Sequence, residues 1–98
     1  MPTATLWLSF KERRGDLLVE IAIWRLPRAT ADRPHGYKYR LYLGRDGKTL
    51  VRYDNETGKG DHRHRGAEEA EESYVFTSVE RLIEDFTFDC EAFGWRQS

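Results

Sequence analysis

From Arg52 to Arg65 the chain reads RYDNETGKGDHRHR, crowding cations, acids and a His-x-His pair around Gly58 and Gly60. Imidazole, with an unperturbed pKa of about 6.5, gives and takes protons near neutrality, which suits general acid and base work. In an extended strand His62 and His64 project to one face, and Asp61, Arg63 and Arg65 to the other. Asp61 or Asp54 could fix an imidazole tautomer, while Lys38, Lys59 and Arg63 could hold an anion such as a phosphate. The same composition also suits a solvated edge strand, whose charges discourage pairing with another chain. A third use is metal binding. His-x-His offers two nitrogen ligands, but a catalytic zinc wants a third protein ligand, and only Asp61, Asp54 and the distant His35 are at hand. No metal ligand set is assigned, and nothing in the chain assigns a cofactor.

These residues need a frame. Asp54-Asn55 followed by Gly58 and Gly60 is turn chemistry, since Asn and Asp tolerate left-handed backbone and glycine adopts it freely. A hairpin is therefore expected between Leu50–Asp54 and Asp61–Arg65. Upstream, Tyr37–Leu43 and Lys48–Tyr53 flank the Gly-Arg-Asp-Gly turn at Gly44–Gly47. Tyr37, Tyr39, Leu41 and Leu43 share one face of that hairpin. Lys38, Arg40 and Tyr42 share the other, where alternating cations and an aromatic ring suit a phosphate backbone with a base to stack, or plain solvent.

Thr5–Phe10 and Leu17–Leu26 alternate as a further hairpin, joined by Lys11–Asp16 with its Gly15-Asp16 turn. The two prolines and absent periodicity of Pro27–Gly36 predict a surface loop. Gly66–Ser73, with the acidic run Glu68–Glu72, reads as a solvated loop, and Tyr74–Phe76 as a short last strand. One helix follows, begun by a Thr77/Glu80 capping box and stopped by Gly94. Its buried stripe is Val79, Leu82, Ile83, Phe86, Cys90 and Phe93, which makes Cys90 a packed thiol, and Glu80, Glu84 and Asp85 face solvent. The expected architecture is α+β: a mostly antiparallel sheet of five or six strands with the C-terminal helix on one face. Leu6/Phe10, Ile21/Ile23 and Tyr39/Leu41 would join the helix stripe in the core. Lys38, Arg40, Arg52 and the His pair would lie on the opposite face.

A chain of 98 residues with 39% hydrophobic and 34% charged content supports one domain, 1–98, with a single core. Its net charge of −1 conceals a division. Residues 1–65 carry 14 Lys/Arg against 8 Asp/Glu, and residues 66–98 carry 2 against 9. A basic sheet beside an acidic helix suits RNA on one side and a basic partner on the other, or internal complementarity. The single Cys90 cannot form an internal disulfide, which fits the cytosol. No apolar run approaches the roughly 20 residues of a membrane span, and no signal-peptide layout opens the chain, so no membrane association is expected.

The succession Tyr37-Lys38-Tyr39-Arg40-Leu41, Val51-Arg52-Tyr53-Asp54-Asn55 and Lys59-Gly60-Asp61-His62-Arg63-His64, then a Tyr-Val-Phe segment and an amphipathic helix, resembles the TumE family. The likeness spans nearly the whole chain. It implies a small cytoplasmic toxin of a toxin–antitoxin module, neutralised by a DNA-binding antitoxin encoded beside it. Residue roles rest on chemistry alone. The expected site comprises His62, His64 and Asp61 as proton-handling groups, with Lys38, Arg40, Arg52, Tyr53, Asp54, Asn55, Lys59, Arg63 and Arg65 as binding groups. Three activities stay open: metal-independent RNA cleavage by the His pair, stoichiometric binding of a cellular target without turnover, and hydrolysis by an ion held on His-x-His. A homodimer is also open.

Overall fold

Short turns fold the chain into a meander in which every strand pairs with its neighbour in sequence. In the computed structural model, described over residues 3–55, 60–66 and 71–96, six antiparallel strands stand in chain order. They are β1 (Thr5–Arg14), β2 (Leu17–Arg25), β3 (Tyr37–Arg45), β4 (Lys48–Asp54), β5 (His62–Arg65) and β6 (Glu72–Ser73), followed by α1 (Val79–Glu91). The α+β expectation holds. Strands run further into the turns than alternation predicts, because two-residue loops suffice. Arg14 pairs with Leu17 around Gly15-Asp16, and Arg45 pairs with Lys48 around Asp46-Gly47. Asp46 and Gly47 have φ of 50° and 79°, the left-handed pair whose twist matches that of the flanking strands.

The helix lies over one sheet face. Val79, Leu82, Phe86 and Cys90 are buried against Val19, Ile23, Tyr39, Leu41, Leu43, Val51 and Tyr53, with Ile83 and Phe93 packed at the margin. Each such side chain contributes roughly 1.5–3 kcal/mol by leaving water. Ser78, not Thr77, caps the helix: its hydroxyl accepts from the Arg81 amide at 3.0 Å, one residue beyond the expected position. At the far end Gly94, at φ 97°, lets the chain reverse so that the Trp95 amide reaches the Cys90 carbonyl at 3.3 Å.

Three further expectations are corrected. The last strand is Glu72–Ser73, and Tyr74–Phe76 leaves the ladder to spend its rings on the core side, where Phe76 stacks on His35 at 4.0 Å. Leu6 does not enter the core. A register shift between Leu6 and Leu8 sets Leu6 opposite Trp24, on the face away from the helix, while Leu8 meets Ile23. Phe10 keeps the core face opposite Ile21 but remains 42% exposed. Finally, the described end of the acidic run is not merely solvated: Glu72 binds Arg63 and Arg65, at 3.0 and 2.9 Å. Gly58, Lys59 and Glu68–Glu69 lie outside the described residues.

Candidate active site on the helix-free face

Antiparallel register decides which side chains meet. Asp54 is opposite His62, Arg52 opposite His64, Tyr42 opposite Arg52 and Arg40 opposite Asp54. With period two, one face therefore gathers Lys38, Arg40, Tyr42, Arg52, Asp54, His62 and His64, and this is the face without the helix. The expected grouping of the His pair with Lys38, Arg40 and Arg52 is present.

At its centre carboxylates and imidazoles alternate. His62 is buried, and its Nε2 contacts Asp54 Oδ1 and, at 3.0 Å, Glu71 Oε1. Glu71 then turns its other oxygen toward His64 Nε2, 4.0 Å away. On the far side of Asp54, the Arg52 guanidinium lies 3.3 Å from Oδ2. The other nitrogen of His62 faces the Gly60 carbonyl at 3.1 Å. A carbonyl only accepts, so Nδ1 carries hydrogen. Nε2 faces two carboxylates, those of Asp54 and Glu71. His64, 26% exposed in its side chain, is the more accessible imidazole of the pair. Glu71 had no signal in local spacing, being joined to His62 only by the fold.

Beside this row is a depression of about 310 Å³ lined by Trp24, Lys38, Arg40, Arg52, Asp54 and Asn55. Cations lie over aromatic rings at its rim: Lys38 Nζ is 5.6 Å from the Trp24 ring and Arg40 Cζ 5.5 Å from the Tyr42 ring. Tyr42 lies across Gly44, where any Cβ would collide with its hydroxyl. Glycine at 44 therefore holds the ring flat.

Other expected site residues belong elsewhere. Asp61 is not a partner of the His pair: it accepts from Tyr39 Oη at 2.6 Å and contacts His35 Nε2 at 3.0 Å on the helix-bearing side. Burial first, then the Asp61 hydrogen bond, pushes the Tyr39 hydroxyl far above its ordinary range. Asn55 is a structural clasp. Its Oδ1 accepts from the Tyr39 amide at 3.0 Å, its Nδ2 donates to the Tyr37 carbonyl at 2.8 Å, and its own carbonyl receives Arg33. Tyr53 is buried beneath α1 and donates to Asp89. Arg63 joins it there, donating to Tyr53 Oη at 3.0 Å and lying 3.8 Å from Asp89. Arg63 and Arg65 thus share Glu72 on the face opposite the His pair. The Lys59 expectation lies outside the described residues.

Asp89, placed in the helix stripe but not anticipated as buried, is the acid that anchors Tyr53. Cys90 is fully buried, and burial first, then the Asp89 and Glu91 charges, pushes its thiol up, as expected of a packed cysteine. No helix of the described residues is long and apolar enough to cross a membrane. Among those residues no cluster of three or more His, Cys, Asp or Glu is arranged to hold a metal ion.

No curated protein and no solved structure matches the chain. A family model described as Toxin TumE matches residues 5–93, covering all six strands and the helix, and on that match the chain belongs to the TumE toxin family.

Proposed function

We propose that this chain is the toxin of a type II toxin–antitoxin module and cleaves RNA by metal-independent proton transfer on the helix-free face. The observation that carries this reading is the row Asp54, His62, Glu71, His64 beside Lys38, Arg40 and Arg52 on one open surface. His64 removes the proton of the RNA 2′-hydroxyl, the 2′-oxygen attacks the adjacent phosphorus, and the bond to the 5′-oxygen breaks. In this step a proton passes to that leaving oxygen from the His62–Glu71 pair, whose members lie 3.0 Å apart. Arg52, Arg40 and Lys38 balance the charge that builds on the phosphorane, and Tyr42 and Trp24 offer rings for a base. The buried His62 acts from behind, through Glu71. The partner is an antitoxin, a DNA-binding protein encoded beside the toxin, and both act in the cytoplasm.

Purified protein tests this. It should cut RNA in excess chelator and leave 2′,3′-cyclic phosphate ends, with His64→Ala slowing the reaction about 10²–10⁴-fold. Cleavage that stops on chelation and returns with zinc or manganese would overturn the mechanism. One observation favours a second reading: the deep burial of His62 also suits a surface that binds its target stoichiometrically. In that case His64→Ala leaves toxicity intact.

A further inference from the structure

The two sheet edges are treated very differently. β6 is two residues long, whereas β1 presents ten residues of backbone on its outer side. Such an edge, unless blunted, is a template for another strand. Here it carries Leu6 at 53%, Trp7 at 48% and Phe10 at 42% exposure, an apolar group concentrated in its first half. Behind it, a groove of about 280 Å³ between β1, β2 and α1 is lined by Leu8, Phe10, Ile21, Ile83, Phe86 and Trp95. The second half of the strand is Lys11, Glu12, Arg13 and Arg14.

That division of β1 selects its occupant. Parallel pairing with an identical strand would set cations against cations. Antiparallel pairing reverses one copy, so the charged half of each lies along the apolar half of the other and the like charges sit at opposite ends. Centred on Phe10, this register sets Phe10 against the partner's Phe10, Leu8 against the partner's Glu12, and Ser9 against the partner's Lys11. Residues paired in this way share a sheet face. The bulge at Trp7 brings the Leu6–Trp7 end beside the partner's Arg13, whose aliphatic stem can cover apolar surface while its head stays in water. Registers centred on Lys11 or Arg13 would oppose like charges.

We infer that two copies of this chain pair antiparallel through β1 to form one continuous twelve-stranded sheet about a two-fold axis at Phe10. The interface is isologous and closes on itself, so it consumes both long edges and ends assembly at two chains. Both helices lie on the same side of the joined sheet, and each Phe10 covers the open flank of the other copy's groove. The inference is independent of the RNA reading, since its readout is mass and not cleavage.

Sedimentation equilibrium of the full chain at about 100 μM, well above a micromolar dissociation constant, should give twice the chain mass. Phe10→Glu puts two carboxylates on the dyad and should weaken association at least about 100-fold, leaving monomers with an unchanged circular dichroism spectrum. Phe10→Lys should do the same. Mixing the two variants should restore a dimer, because unlike charges then meet at the axis. Phe88→Glu, on the exposed face of α1 and 74% exposed, should leave the dimer intact. A monomeric wild-type chain at that concentration overturns the inference, and then the edge serves another protein. A dimer indifferent to Phe10→Glu and Phe10→Lys, or one lost with Phe88→Glu, overturns it as well.

Discussion

Asp54 and His62 face each other across the β4–β5 ladder, and the carboxylate of the first holds the Nε2 of the second in a site closed to water. Removing either partner strands the other. His62→Ala should lower stability by about 2–3 kcal/mol, because Asp54 stays buried with Arg52 as its remaining charged partner among the described residues. His64→Ala, at an accessible position, should fall within about 0.5 kcal/mol of wild type. Urea titrations separate the two, and growth assays should show relief of toxicity in both. Full toxicity in the stable His64 variant would remove proton transfer from the mechanism.

The Tyr42 platform allows a test that touches no charge. Gly44→Ala should displace the ring that lies across it and weaken single-stranded RNA binding by about 1–3 kcal/mol, the worth of one stacked base. Arg40→Gln should instead reduce the slope of log affinity against log salt by about 1. Fluorescence titrations at several salt concentrations distinguish these outcomes.

Legibility in the sequence followed the range of each interaction. Period-two alternation placed Lys38, Arg40, Arg52, His62 and His64 on one face, and the Gly-Arg-Asp-Gly segment at Gly44–Gly47 announced a turn, because those signals lie within a few residues. The helix stripe was equally plain, apart from a cap displaced to Ser78. Asp61 neighbours His62 in the chain, but its side chain lies on the other face, as alternation predicts, and meets His35 across 26 residues, a contact with no local pattern. Glu71 and Asp89 were missed for the same reason. Each gains its role from a partner on another element, His62 and Tyr53 respectively, and neither pairing has a local pattern. The bulge at Trp7, which removes Leu6 from the core, also arises from pairing and not from composition.

Alkaline titration should report the buried tyrosines. Burial, then the Asp89 hydrogen bond, raises Tyr53 above its ordinary 10.0, and Arg63 offsets only part of that. Tyr74 is raised by burial and then by Asp85. A folded-state value above the unfolded one favours the neutral fold, so this stability is complete below pH 10 and is lost as pH climbs beyond it. Tyr53→Phe should flatten that alkaline decline while costing about 1 kcal/mol at neutrality through the lost hydrogen bond. Thermal melts across the alkaline range measure both.

Acid acts on Glu72 with the opposite sign. Burial is the largest single influence and raises it, but the hydrogen bonds and charges of Arg63 and Arg65 together outweigh this and hold the carboxyl below its ordinary 4.5. Its stabilisation is present above that value and fades as pH falls through the lowered one. Glu72→Gln should therefore melt earlier at pH 7 and show a shallower loss of stability in acid. Equal acid slopes for the two proteins would show that the Arg63–Glu72–Arg65 bridge adds nothing.

Because the strands stand in chain order, no connection crosses the sheet and each hairpin closes over a short stretch of chain. Loop-closure entropy is then met in small successive steps, which favours rapid folding from the N-terminal end as the polypeptide is synthesised. Lys38, Arg40 and Arg52 belong to the hairpins made early. His62 and the helix that covers Tyr53 come afterwards. A growing chain therefore displays its cationic surface before it owns its imidazoles, and acquires the complete row only in the last third of its synthesis.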